Sequence, residues 1–179
     1  MHAAYFRLGG VQNDLSFHMM GDIFKFCKFF RYRLTEIDEL LTYNKIWKSR
    51  LINVGVVSSS AAINAGFSGV LLRATGVNWD LRKNLSYEMY DQISFSVPLA
   101  QTGDCYARYL LRMAEMRQSI DIIQQALNLM EEGDVINDHS LISPGDKFSI
   151  GDSMETLINF FKYYSENTVF DQDQSYTCV

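Results

Sequence analysis

Cysteine is scarce in this chain, with Cys27, Cys105 and Cys178 far apart. An odd number with no close pair excludes a disulfide scaffold and a CxxC metal site within it, and suits a reducing compartment. Proline is scarcer still, at positions 98 and 144 only. Basic charge is in deficit: 16 Lys and Arg stand against 21 Asp and Glu, for a net charge of −5. That balance argues against a bulk nucleic-acid surface. No apolar run reaches the roughly 18 to 20 residues of a membrane-spanning helix. His2, His18 and His139 have no metal-ligand spacing. The glycines of GFSGVLLRATG do not follow GxGxxG, and Ser58 to Ser60 lack a GxSxG context. Neither a dinucleotide fingerprint nor a hydrolase nucleophile is indicated. The segment MHAAYFRLGG has no apolar core of the kind a signal peptide needs, and it does not read as a transit peptide.

Apolar and aromatic side chains are abundant. They make up 47% and 13% of the chain, enough to build a core in one domain of this length. Residues 1–15, with Gly9, Gly10, Asn13 and Asp14, read as irregular. Ile23, Phe26, Cys27, Phe30, Leu34, Ile37 and Leu41 recur every three or four residues, which predicts a helix from about Ser16 to Lys48. The β-branched run 51–57 predicts a short strand. Ser58 to Ser60 offer caps for a short helix that stops at Gly66. Ile93, Phe95 and Val97 alternate with Ser94 and Ser96, a half-buried strand ended by Pro98. Tyr106, Tyr109, Leu110, Met113, Met116, Ile120, Ile123, Leu127 and Met130 mark a long helix between Gly103 and Met130. Residues 133–151 read as a polar loop, and Asp152 with Glu155 fits a capping box for a further helix through Tyr164. The reading is mainly α with small β elements, one segment over 1–179 without an internal boundary. Long helices with few strands leave aromatic surface uncovered, so the body is expected to complete itself against other chains.

Charged residues offer the remaining candidates. Arg73, Asp80, Arg82 and Lys83 cluster in RATGVNWDLRK. As a solvated loop their ion pairs are worth little; as a lattice they fix a loop at a subunit interface. Asp104 and Arg108 have the i,i+4 spacing of a helical ion pair. Arg112 and Arg117 follow on the same helix, and Arg is the cation suited to interfaces because its planar fork grips carboxylates. Cys105 reads as a small core hydrophobe. His2, on residue type alone, reads as a packing or surface histidine.

Six segments carry a resemblance: MHAAYFRLGGVQNDL, ELLTYNKIWKSR, GFSGVLLRATGVNWDLRK, YDQISFSVP, GDCYARYLLRMAEMRQS and SMETLINFFKYYSE. In order and over nearly the whole chain they resemble the 49-kDa subunit of complex I, the proton-pumping NADH:quinone oxidoreductase. The mitochondrial type is most similar. Phe, Tyr, Ile, Asn and Lys outnumber Gly, Ala, Arg and Pro by 52 to 32, a lean toward A/T-rich codons that agrees with an organelle gene. The match covers the middle of the family's length, so the resemblance implies a split subunit or a partial chain. The quinone-contacting histidine and tyrosine fall outside it.

The resemblance implies an α-rich helical body related to the large subunits of nickel–iron hydrogenases. It implies a place in the peripheral arm, on the matrix side of the mitochondrial inner membrane. The implied partners are the small iron–sulfur subunit, the 30-kDa subunit and chains supplying the rest of the 49-kDa length. No cofactor is bound by this chain in that scheme; a terminal [4Fe–4S] cluster sits in the neighbouring small subunit, and quinone is the substrate of the complex. His2 of MHAAY is then the redox-linked proton group beside that cluster. A unit charge at about 4 Å and an effective dielectric of about 20 is worth roughly 4 kcal/mol. Reduction of the cluster would then raise an imidazole pKa by up to about 3 units. Arg7, Arg73, Asp80, Arg82, Asp104 and Arg108 are implied to be structural and interface residues. Two positions depart from the family pattern: Leu8 stands where Pro is usual, and Ala107 where Asp is usual, which removes an acidic partner for a nearby Arg. The alternative is a non-catalytic assembly scaffold of the same ancestry.

Overall fold

The structure, a computed structural model, describes residues 5–7, 10–136, 151 and 153–162. They divide into two compact units, one of residues 17–130 and one drawn from 1–16 and 131–178. His2, Leu8, His139, Asp152 and Cys178 lie outside the described residues.

The larger unit is helical. Its first helix, α1, runs over Phe17–Ile37 and continues into a π-helical turn, Asp38–Thr42. The expected helix to Lys48 does not form as one piece. Asn44 adopts an extended backbone, and its side chain accepts from the amides of Ile46 and Trp47, starting a new helix, α2, at Lys45–Leu51. An Asn that satisfies two otherwise unpaired amides favours a fresh N-terminus over continuation. Of the predicted stripe, Cys27 and Leu34 are buried and Ile23 and Phe30 half-buried, whereas Phe26 is 57% exposed.

The strand expected at 51–57 is absent. Asn53 and Gly55 take positive φ values of 60° and 61°, which a regular strand does not admit, and the segment forms turns after α2. The short helix that follows, α3 (Ser59–Asn64), is capped by Ser58 and ends before Gly66, as its sequence predicts. Then come α4 (Gly69–Arg73) and α5 (Leu81–Asn84), the latter capped by Asp80.

The long helix α6, Cys105–Leu129, organises the unit. One face meets α1: Met113 and Ile120 pack with Cys27 and Leu34, flanked by Tyr109 and Met116. Another face carries Ala107 and Leu111, which pack with Ala74 at the end of α4. Ala107 and Ala74 are almost wholly buried, and side chains this small let the backbones approach closely. Because apolar contacts lie on two faces, the single predicted stripe misses Ala107 and Leu111, and it includes Leu110 and Ile123, which stay exposed. The helix ends at Leu129, with Met130 extended, so Gly133 lies beyond its stop.

Ile93–Val97 alternates in burial as expected, with Phe95 inside and Ser94 and Ser96 outside, but among the described residues no second strand pairs with it. Two glutamines of α6 take that place. Gln125 donates to the Ser94 carbonyl at 2.7 Å and accepts from its amide at 2.9 Å, and Gln118 accepts from the Ser96 amide at 2.8 Å.

The other unit contains a small ladder where irregular chain is expected. Phe6–Arg7 (β1) and Gly10–Val11 (β2) pair antiparallel, Phe6 opposite Val11 and Arg7 opposite Gly10. Gly10 also bridges to Ile136, and a Cβ at residue 10 would stand 2.1 Å from the Val135 carbonyl oxygen, so glycine is required there. A short helix, α7, spans Met154–Phe160 with Ser153 at its N-cap; the expected capping box falls on Asp152, outside the described residues.

Candidate functional site

The charged cluster of RATGVNWDLRK is a buried network and not a solvated loop. Arg73 closes α4 and Asp80 opens α5, and both are almost wholly buried. The six residues between them turn the chain so that the two side chains come within 3.9 Å of each other, with Arg73 reaching α6. Arg73 donates from Nε at 2.9 Å and from Nη2 at 2.6 Å to Glu115 Oε1, and from Nη1 at 3.0 Å to the Trp79 carbonyl. Its Nη1 also lies 3.9 Å from Asp80 Oδ2. Asp80 is held on its other side by Arg82, whose Nε and Nη2 reach Oδ1 and Oδ2 at 3.0 and 2.7 Å. The Arg82 amide adds a third bond at 3.0 Å. Burial pushes the Asp80 carboxyl up, but the Arg82 side chain and amide and the Arg73 charge outweigh it, holding the pKa below the ordinary carboxylate value. Two cations and two carboxylates thus neutralise one another, with Arg73 and Asp80 almost out of water and Glu115 and Arg82 at the half-exposed rim, the pairing under which buried charge is tolerated.

Lys83 stays outside this network. Its Nζ stands 5.0 Å from the Phe95 ring, and the Arg82 guanidinium lies 4.9 Å from the same ring. An open cleft of about 260 Å³ borders the network, lined by Ser68, Gly69, Trp79, Leu81 and Tyr87 besides the charged residues.

A second arrangement joins α6 to residues 53–57. Asp104 and Arg108 do not close on each other as the i,i+4 spacing suggests. Asp104 caps α6, accepting from the Ala107 amide at 2.7 Å, the Asn53 amide at 3.0 Å and the Thr102 hydroxyl at 3.1 Å. Burial raises its pKa, and these bonds more than reverse the effect, leaving it lowered. Arg108 donates to the carbonyls of Gly103 and Gly55 at 2.7 and 2.8 Å and to Cys105 Sγ at 3.1 Å. It is a clamp on backbone, and Cys105, half-buried and not among the buried core residues as expected, is part of that clamp. Gly103 lies against Val57, whose carbonyl oxygen a Cβ would meet at 2.2 Å.

A third arrangement locks the π-helical turn. Asp38 accepts from Thr42 and pairs with Arg117, and Tyr106 donates to the Thr42 carbonyl at 2.9 Å. The Thr42 hydroxyl bond, then Arg117, lower the Asp38 pKa against burial.

The expected site residues therefore separate into groups. Arg73, Asp80 and Arg82 come together. Asp104 and Arg108 act at the start of α6. Arg7 lies in β1, and His2 falls outside the described residues. Glu115 is the partner that sequence reasoning missed. Its signal is weak: one carboxylate between Met113 and Met116 on a helix that already carries other charges.

The family model described as respiratory-chain NADH dehydrogenase, 49 Kd subunit, matches residues 1–179. The chain belongs to that family. It is 50% identical over 179 residues to the NADH-ubiquinone oxidoreductase 49 kDa subunit of Pylaiella littoralis, 47% identical to that of Reclinomonas americana and 48% identical to that of Prototheca wickerhamii. In each case all of this chain and 45% of the relative are covered. The chain thus spans about 45% of the length of the curated relatives it matches. No helix among the described residues is long and apolar enough to cross a membrane.

Proposed function

We propose that this 49-kDa-family chain serves in the peripheral arm of a proton-pumping NADH:ubiquinone oxidoreductase, where it helps electrons pass from a neighbour's terminal [4Fe–4S] cluster to quinone. The family match over all 179 residues carries this reading. The place is the matrix side of the mitochondrial inner membrane, and the neighbours are the small iron–sulfur and 30-kDa subunits. The helical body is of the hydrogenase-large-subunit kind.

The described residues do not fit the role of cluster ligands. Among them no three His, Cys, Asp or Glu side chains gather as a metal site. Cys27 is buried between helices, and Cys105 accepts from Arg108. In this reading the cluster belongs to the neighbouring subunit and supplies the electron. The contribution of this chain is His2, an imidazole with an ordinary pKa near 6.5. His2 holds a proton more tightly when an added electron lies nearby, and by linkage its proton favours that electron equally.

The Arg73–Glu115–Asp80–Arg82 network and the Arg108 clamp act as structural supports. They hold α4, α5 and the 53–57 turns on α6 with bonds whose geometry tolerates little displacement.

A tag on this chain tests the placement. Purification from mitochondrial membranes is expected to recover an assembly that reduces quinone with NADH, with the tag protected from protease until the matrix face is opened. A tagged chain that separates from that activity would contradict the proposal.

A further inference from the structure

Three rings follow one another where α2 meets α6. The Trp47 indole meets the Tyr109 ring edge-on with centroids 5.6 Å apart, and Tyr109 lies 6.1 Å from Tyr106. All three residues are half-buried. Indole and phenol rings give up a single electron readily, and rings in contact pass one between them. What distinguishes these three is where their protons can go.

Trp47 Nε1 is buried and has no hydrogen-bond partner, so its proton has no acceptor to move to. The Tyr109 proton has one. The Asp38 carboxylate, ionised beside Arg117, can only accept, so the Thr42 hydroxyl donates to its Oδ1 at 2.5 Å. The Thr42 oxygen is left to accept, which makes the Tyr109 phenol the donor in the 3.0 Å bond between the two hydroxyls. The result is a directed chain from phenol to hydroxyl to carboxylate. Tyr106 lacks such an outlet, because its hydroxyl donates to the Thr42 carbonyl, an amide oxygen and a weak base. The Lys48 ammonium also stands 5.9 Å from the Tyr106 ring centroid. A cation attracted by a ring's electrons opposes the loss of one of them.

We propose that Trp47 and Tyr109 form a relay that drains one-electron oxidation from the indole to the phenol, with Thr42 and Asp38 taking up the phenolic proton. The oxidant is a small radical of the carbonate-radical class, which takes one electron from Trp47 and becomes carbonate. The indole radical cation, which cannot shed its Nε1 proton, takes an electron from Tyr109 and is restored. The Tyr109 proton moves to Thr42 as the Thr42 proton moves to Asp38, leaving a neutral tyrosyl radical and a carboxylic acid. A phenol that has lost an electron is a far stronger acid than any carboxylic acid, so the pairing of Asp38 with Arg117 does not prevent the transfer. A dissolved reductant of the ascorbate class then returns the electron, and Asp38 returns the proton. The relay protects the indole from irreversible oxidation. Apart from the choice of assembly in which to test it, the proposal does not depend on the electron-transfer role.

The native assembly, isolated through this chain and exposed to carbonate radicals generated by radiolysis, decides it when oxidation products are mapped by peptide mass spectrometry. Trp79, 41% exposed, monitors the dose. Relative to Trp79, hydroxylated and kynurenine products at Trp47 are expected to rise tenfold or more in Tyr109→Phe, which keeps the ring. They are expected to rise threefold or more in Thr42→Val, which cuts the proton path and leaves both rings in place. Tyr106→Phe removes a hydroxyl bound to the same Thr42 and should leave the Trp47 yield unchanged. Equal Trp47 yields in the native and Tyr109→Phe chains would overturn the relay. Equal rises in Tyr109→Phe and Tyr106→Phe would overturn it too, since loosened packing would then account for both. An unchanged yield in Thr42→Val would overturn the proton path. NADH:quinone reductase activity of the same preparation is scored separately, so loss of the respiratory assignment and loss of the relay are distinguishable.

Discussion

Glu115 offers the plainest prediction from a single side chain. It accepts two bonds from Arg73, whose guanidinium is almost wholly buried. Removing one member of such a pair leaves a charge without its counter-ion, at about 3 kcal/mol or more. Glu115→Ala should therefore lower the thermal stability of the assembled particle well below that of Glu115→Gln, which keeps one acceptor; equal losses would mean that the network is not buried there. Asp80 makes a second prediction through pH. Its folded-state pKa lies below the ordinary 3.8, so its stabilising contribution is complete above about pH 4 and is lost as pH falls through the lowered value. The stability gap between the native chain and Asp80→Asn should be constant from pH 7 to 5 and close as the pH drops below 4. A gap that widens on acidification would reverse the sign. The Arg73, Asp80 and Arg82 cluster was legible in the sequence, because three charges fall within ten residues. Glu115 was not, because its partner lies 42 positions away on another helix. The same distance problem hides the roles of Asp104 and Arg108. Their spacing suits a mutual pair, yet each is taken by backbone groups from residues 53–57, which local periodicity does not register.

At the scale of elements, the helices were readable wherever apolar spacing and a cap agreed. Ser58 and the long run of α6 are such cases. The reading failed where a local polar residue overrode the period, as Asn44 does between the π-helical turn and α2. It failed again at 93–97, where alternation correctly gives a half-buried extended segment but not what pairs with it, because glutamine side chains stand in for a strand. Asn44→Ala should cost about 1 kcal/mol of local stability, the ordinary value of a lost N-cap. Native-state amide exchange reads this directly: the α2 amides should open about fivefold more often, with α6 unaffected. Unchanged α2 exchange would show that packing, not the cap, starts that helix.

For the whole molecule, the excess of uncovered apolar surface is the feature that sequence and structure share. Phe17, Leu40, Tyr43 and Ile46 are largely exposed, as expected of a body that completes itself against other chains. Family membership was legible in six ordered segments; the function proposed above adds the central claim that a proton on His2 and an electron on a neighbour's cluster are coupled. A redox titration of that cluster across pH 6 to 8, in the intact enzyme with and without His2→Met, tests the coupling most directly. The native midpoint potential should fall with rising pH and the variant's should stay flat. Identical slopes in the two enzymes would contradict the account.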